Sequence, residues 1–594
     1  MLNILYLFFV SPVGIFLLIL NCFFIILFKK YLGPISTFYV SIFFLFLSLL
    51  NFIFMLYFNL STGSYVFIDL GHIFFSLDCI NSNFILIFDN LTLLLSIIVS
   101  ILTIVALFFG IEYMARELFI NRLIYLLNLF ATSVIFLFCV YDFFLILVAW
   151  ELIGLFSFFL VNFYSLTVYT TKSSLKTFIF SRLSDMFLFF SFNLCILVFN
   201  STDLSIIFIK TPFFVYHNFL IFGYYFNFLG ILTFFISLAS CIKAAQFGFH
   251  VWLPDAMNAP TPASSLIHSS TLVIMGIYLI IRFNLIFEFS LYSNYFLIII
   301  GSLTICIGSV IAIFQTDIKK LVAYSTISQM GYLVSGCGFF AYEETVIYLI
   351  MHALNKAFLF IIVGYTVHFF NSNTDLRQMG GMFMFSFDLS VYYFILGINL
   401  IGLPFSSGFY SKEFLLFQIF DTSVFSTLIK ALWFVSFLFT SVYIFILIFY
   451  VNFNFKKNIY KNYNLNKNYY IFNNSINFLD VNYITSKSTK IVLFVFFIGL
   501  NFFGDYFFLV LIDYIYQNDS FYVKNYLKYN FKYYLSTSSF NSSFIHNLYI
   551  FILIINFISI KYIFSNFYKN VSNFYKYTYT IDTVFIIFLL FIFL

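Results

Sequence analysis

Charge is scarce in this 594-residue chain: 9% of residues are Asp, Glu, Lys or Arg, against 63% hydrophobic. That ratio excludes a single water-soluble core, because no globular domain hides so much apolar side chain from water. Cysteine is sparse too. Cys22, Cys79, Cys139, Cys195, Cys241, Cys306 and Cys337 lie scattered with no Cys-x-x-Cys spacing, which argues against an iron–sulfur cluster or structural zinc. With only 7 histidines, a haem held by facing histidine ligands is also disfavoured. The opening stretch MLNILYLFFVSPVGIFLLILNCFFIILFKK lacks a charged leader. Its apolar run is too long for a signal-peptide core, so it is expected to stay as the first span.

What the chain has is one apolar run after another, long enough for helices to cross a hydrocarbon layer of about 30 Å. The runs are continuous and lack strand-like alternation, which excludes a barrel. The expected fold is an all-α polytopic membrane protein of about 15–16 transmembrane helices. Thirteen spans are read at 4–28, 36–59, 91–110, 122–140, 143–165, 177–200, 229–248, 262–284, 296–314, 321–341, 345–371, 391–417 and 429–451, with further apolar segments at 488–512, 547–565 and 580–594. Basic residues collect in loops on the inner side of a membrane. Up to residue 420, loops after odd-numbered spans hold Lys29, Lys30, Arg116, Arg122, Lys172, Lys176, Arg182, Lys319, Lys320 and Arg377, and loops after even-numbered spans hold Lys210 and Arg282. This places the N-terminus outside, together with the 61–90 loop and its Asp69, Asp78 and Asp89.

Three basic residues of that region fall inside apolar spans: Lys243, Lys356 and Lys412. A lysine at mid-bilayer costs about 2.5–3.5 kcal/mol on insertion scales, so each needs a use or a partner. Snorkelling or structural pairing is the plain alternative, and it weakens once buried acids accompany the lysines. Glu151 lies centrally in span 5 with no basic residue near it in sequence, and Lys243 is its natural partner. Asp185 stands near the expected start of span 6, where simply neutralising Arg182 at the interface is the plainer alternative. His250, His268 and His352 offer relay positions, since imidazole exchanges protons near neutrality. His352 and Lys356 are four residues apart and share a helix face.

Helix breakers cluster beside two of these lysines. Three of the 7 prolines, Pro254, Pro260 and Pro262, follow Lys243, and Gly402, Pro404 and Gly408 precede Lys412. Unwound backbone at membrane depth is tolerated where it lines a cavity or is buried in protein. An ordinary turn between spans 7 and 8 would account for part of the first cluster but not for the second. Spans 7 and 12 are five apart and cross in opposite senses, as an inverted repeat of two five-helix bundles would require. The chain then divides into 1–120 with spans 1–3, 121–285 with spans 4–8, 286–452 with spans 9–13, and a 453–594 extension.

The stretches WELIGLFSFFLVNFY, KAAQFGFHVWLPDAMNAPTPASSLIHSSTLV, TDIKKLVAYSTISQMGY, HALNKAFLF and GFYSKEFLL resemble the antiporter-like membrane subunits of respiratory complex I. The resemblance covers about residues 85–450 in the family's order. The lysine of FYSKE resembles the chain 5 branch or the bacterial multisubunit sodium/proton antiporter, where the chain 4 branch has glutamate. It implies that Glu151 and Lys243 form the acid–base pair of a first half-channel, with Asp185 and His268 modulating or relaying. It further implies that Lys356 is a central lysine beside His352 and that Lys412 faces an exit. Cofactors are implied to sit elsewhere: none in this chain, with NADH, FMN, iron–sulfur clusters and ubiquinone in other subunits. Implied partners are other membrane-arm subunits, especially the chain 4-type neighbour, with lipid, protons and water, and no nucleic acid. Aromatic, A/T-biased composition and chain length favour a mitochondrial inner-membrane location over the antiporter alternative.

Two departures from the family pattern stand out. Tyr348 occupies a position where the family often has a second histidine. The family also continues after its fifteenth span with a long lateral helix, for which residues 566–594 offer at most about 44 Å of helix, so that helix is expected to be short or absent. A purely structural scaffold is the remaining alternative, and it predicts that the three lysines are dispensable.

Overall fold

The computed structural model describes residues 12–453, apart from 29–30, 32, 73–82, 116, 118, 222–223, 371, 404–405 and 422–426. The apolar segments expected after residue 453, and the lateral-helix expectation, lie outside the described residues.

Every one of the thirteen expected spans up to residue 453 contains a helix, and α-numbers here follow span order. They are α1 Val13–Phe28, α2 Pro34–Thr62, α3 Asn90–Tyr113, α4 Ile120–Cys139, α5 Phe143–Val161, α6 Val168–Phe199 and α7 Phe228–Lys243. There follow α8 Thr261–Arg282, α9 Leu291–Phe314, α10 Ile318–Gly338, α11 Tyr342–Phe369, the split pair α12a Phe387–Ile401 and α12b Ser407–Asp421, and α13 Thr427–Ile448. Among the described residues, nine helices are long and apolar enough to cross a membrane. Among the described residues, two pairs of short antiparallel strands interrupt the helical pattern, Val66–His72 with Asn83–Phe88 and Asn218–Ile221 with Tyr224–Asn227.

The helices start where the sequence supplies caps. Asp89 accepts from Thr92 N at 2.9 Å, Asp142 from Phe144 N at 2.7 Å and Asn227 from Leu229 N at 2.9 Å, opening α3, α5 and α7. Serines and threonines inside the helices return their hydroxyls to carbonyls three residues back, as Ser96 does to Leu93 and Ser184 to Ser181. Each such bond satisfies a donor that would otherwise stand bare in apolar surroundings.

Burial sorts the helices into an inside and a rim. Over their membrane-length windows α8 and α11 are wholly buried, whereas α2 and α6 turn more than half of theirs outward. The rim presents Phe43, Ile179 and Leu197 to the surroundings, as lipid contact requires. Small residues close the seam between α9 and α10: a Cβ on Gly331 would stand within 2.8 Å of Ile305 Cγ1, so the two backbones can approach only with glycine there. At the far end of α8, Arg282 Nη1 lies 2.5 Å from Asp89 Oδ2, tying α8 to the start of α3. Burial pushes the Asp89 carboxyl up, and the guanidinium more than offsets this, leaving it below the usual carboxylate range.

One boundary differs from the sequence reading with consequences for the site. α6 begins at Val168 and runs for 32 residues, so Lys172, Lys176 and Arg182 belong to a helix and not to a loop. Asp185 is therefore mid-helix, not near a start.

Candidate functional site: a row of buried ionisable groups

Lys243 is the last residue of α7 and is 1% exposed. The helix stops there because Ala245 takes φ 51° and Gly248 φ 87°, after which the prolines hold the chain in short turns before α8. Lys243 Nζ lies 3.8 Å from Asp185 Oδ1, donates to the Trp150 carbonyl at 3.4 Å and stands 5.1 Å from the centroid of the Trp150 ring. Ser184 accepts from Trp150 Nε1 at 3.2 Å and lies 3.3 Å from Asp185 Oδ1. A small cavity adjoins the lysine, with Ser157, Thr177, Ser181 and Trp252 among its lining.

The expected Glu151–Lys243 pair is not formed. Glu151 Oε2 lies 3.7 Å from Arg182 Nη1, and the same nitrogen lies 3.4 Å from Asp185 Oδ2. The groups thus run Glu151, Arg182, Asp185, Lys243. Helix rotation explains the correction: Trp150 faces Lys243, and the next residue turns about 100° away, leaving the Glu151 side chain 48% exposed. Asp185 does neutralise Arg182, and it faces Lys243 as well. The contact that the sequence reading missed is the one between Arg182 and Glu151, which lie on different helices.

His250 lies in the turn after Lys243, stacked on Phe247 with centroids 6.2 Å apart. Burial and the nearby Lys176 hold its imidazole below the ordinary value. Lys176 Nζ pairs with Asp255 Oδ2 at 2.5 Å and so pins this turn to α6. His268 sits in a π-helical turn, Ile267–Thr271, that interrupts α8. It is fully buried, neither ring nitrogen has a hydrogen-bond partner among the described residues, and its ring is 6.1 Å from that of Phe360.

Phe360 begins the second half of the row, because α11 stacks Phe360, Lys356, His352 and Tyr348 at four-residue intervals on one face. Lys356, fully buried, donates to Ser325 Oγ of α10 at 2.5 Å. His352 is buried without a hydrogen-bond partner among the described residues. Asn355 accepts from Asn399 of α12a at 3.4 Å. Beyond that contact the helix breaks: Gly402 takes φ 81°, and a Cβ on Gly408 would stand 2.8 Å from the Asn399 carbonyl carbon. The break delivers Lys412 on α12b into the interior at 2% exposure. Its Nζ donates to Thr440 Oγ1 at 3.3 Å and lies 4.3 Å and 5.2 Å from the ring centroids of Phe437 and Tyr332. A second small cavity has Ser325, Tyr393 and Tyr443 in its lining. Each broken-helix lysine therefore rests on an aromatic face, and the central lysine rests on a hydroxyl.

These features define a polytopic helical membrane protein that keeps cations where lipid or protein should exclude them. Residues 140–446 match the family described as NADH:quinone oxidoreductase/Mrp antiporter, transmembrane region, and the chain belongs to that family. It is 42% identical over 365 residues to NADH-ubiquinone oxidoreductase chain 5 of Nyctotherus ovalis, covering 60% of this chain and 20% of that one. Chain 5 of Paramecium tetraurelia is 39% identical over 374 residues, 62% and 63% of the respective chains, and that of Dictyostelium discoideum 36% over 331 residues, 56% and 49%. The chain thus spans less than two thirds of the length of each of these relatives. A solved structure of the membrane-bound sulfane sulfur reductase, an archaeal respiratory membrane complex, contains a chain of the same fold at TM-score 0.72 and 17% identity, covering 86% of this chain and 97% of that one.

Proposed function

We propose that this chain is the proton-translocating, chain 5-type subunit in the membrane arm of a respiratory NADH:ubiquinone oxidoreductase. In this reading protons move through Lys243, Lys356 and Lys412, with Asp185, Arg182 and Glu151 setting the charge around the first lysine and His268 and His352 between the halves. NADH, FMN, iron–sulfur clusters and ubiquinone belong to other subunits, whose redox chemistry drives the movement. The setting is the mitochondrial inner membrane, with the N-terminus on the intermembrane-space side and the two broken helices at equivalent places in an inverted repeat.

The observation that carries the reading is the burial of three lysines at 2% exposure or less, each held by oxygen atoms or aromatic faces. A scaffold has no use for groups this costly. A lysine tuned by burial and a neighbouring charge can take up and release a proton when that charge moves. Glu151 and Arg182, 48% and 35% exposed on an otherwise apolar rim, support a neighbouring membrane-arm subunit, of the chain 4 type, over that face. The chain 5 relatives favour this reading over a sodium/proton antiporter subunit.

Affinity purification from the native membrane tests it. The chain should travel in a large assembly that oxidises NADH and reduces ubiquinone; recovery in a smaller complex that exchanges sodium for protons without NADH oxidation would overturn it.

A further inference from the structure

Gln329 of α10 sits where the second half of the row crosses from one helix to another. The Tyr348 hydroxyl of α11 donates to Gln329 Oε1, and Gln329 Nε2 donates to the Tyr443 hydroxyl of α13 at 3.3 Å; all three residues are buried. On one side of this clasp, His352 follows Tyr348 by one helical turn and Lys356 follows by two. The same side holds the cavity that Tyr443 shares with Ser325, the hydroxyl partner of Lys356. On the other side, Tyr332 lies three residues after Gln329, presents its ring to Lys412 and shares a hydrogen bond with Ser436 at 2.7 Å. Thr440, which accepts from Lys412, lies three residues before Tyr443. The clasp therefore stands between the surroundings of Lys356 and those of Lys412.

Its chemistry differs from that of its neighbours. A hydroxyl or a water relays a proton by accepting one while donating another. A primary amide has its acceptor and donors on different atoms. To relay, it must be protonated on Oε1 and lose a proton from Nε2, passing through an unfavourable imidic-acid form. With Oε1 and Nε2 each engaged by a tyrosine, the two bonds of the clasp meet at one amide yet carry no proton across it. If the amide swings away and water takes its place, the two hydroxyls join one relay. A proton released by the Lys356 ammonium, which becomes the amine, can then reach the amine of Lys412, which becomes the ammonium.

We propose that Gln329 is a positioning residue that gates proton passage between Lys356 and Lys412, closed while it bridges Tyr348 and Tyr443. The inference rests on the proton-carrying reading of the two lysines.

The test uses the intact complex in sealed inner-membrane vesicles energised with NADH. Gln329→Ala leaves room for water between the hydroxyls. It should let the gradient decay roughly fivefold faster after NADH is exhausted, the rate equivalent of one neutral hydrogen bond, while NADH:quinone turnover persists. The extra decay should vanish in the Gln329→Ala/Lys412→Met double variant. Gln329→Leu, which fills the space without hydrogen-bonding, should show no leak and weakened pumping. An assembled Gln329→Ala complex that holds its gradient as long as the parent overturns the gate. Where Gln329→Ala does not assemble, Gln329→Ser carries the same expectation, and failure of both to assemble assigns Gln329 to structure and also overturns it. Lys356→Met and Lys412→Met, measured alongside, separate the two levels. Unaltered pumping in those variants rejects the underlying reading, whereas abolished pumping beside a leak-free Gln329→Ala rejects the gate alone.

Discussion

Lys243 and Asp185 meet at 3.8 Å across α7 and α6, and it is Asp185, not Glu151, that faces the buried ammonium. Arg182 stands behind Asp185 and reaches the half-exposed Glu151. A change of charge at the protein's rim thus has a route to the interior through three ion pairs.

That route predicts a dependence on Arg182. A double-mutant cycle of Glu151→Gln and Lys243→Met on initial pumping rate should show a coupling of about 1 kcal/mol. The coupling should disappear when the cycle is repeated in an Arg182→Gln background. Persistence of the coupling without Arg182 would mean that Glu151 acts on Lys243 by another path.

Lys356 depends on one hydroxyl. Ser325 accepts from Lys356 and returns its own proton to Val322 O at 2.7 Å. A hydrogen bond to a charged group contributes about 1.5–3 kcal/mol, so Ser325→Ala should lower pumping about tenfold or more. Ser309→Ala, which removes a buried hydroxyl of α9 that donates along its own helix to Cys306 O at 2.9 Å, should stay within about twofold on the same scale. Equal effects of the two would deny Ser325 its special place.

The break in span 12 is sterically exacting. At Gly408 a Cβ would press against the backbone of Asn399, whereas at Gly230 the nearest atom would be 3.8 Å away. Gly408→Ala should destabilise the chain by roughly 3 kcal/mol and deplete assembled complex on native gels. Gly230→Ala should assemble normally. Normal assembly of Gly408→Ala would show that the two halves of span 12 are not in contact there.

A pH effect is expected in the short connection between α8 and α9. Burial pushes the Glu288 carboxyl up to about 7. Its folded-state value is above its unfolded one, so its contribution is fully present below the unfolded value of 4.5 and is lost as pH rises through 7. Glu288→Gln should therefore match the parent near pH 4 and exceed it by roughly 1 kcal/mol at pH 8 after allowance for solvent screening. Thermal unfolding of the purified complex at the two pH values checks this, and a pH-independent difference would contradict it.

The thirteen spans up to residue 453 and the three lysines were legible in the sequence, because length, hydropathy and the cost of buried charge depend only on local composition. The pairing was not. Which carboxylate meets Lys243 depends on the rotation of α5 and α6 about their axes, where one residue means about 100°, and no neighbour of Glu151 in sequence reveals it. The start of α6 was hidden for a related reason: the Ser, Thr and Lys residues of its first two turns lower its apolar signal although they fold as helix. Gln329 and Tyr443 lie 114 residues apart, so their contact has no local signature at all.

Proton pumping per NADH oxidised, measured in sealed vesicles carrying Lys243→Met, Lys356→Met or Lys412→Met in the assembled complex, tests the central claim most directly. The account predicts a lower ratio for each variant while electron transfer to quinone continues in the uncoupled state. Parental stoichiometry and parental rate in all three would contradict it.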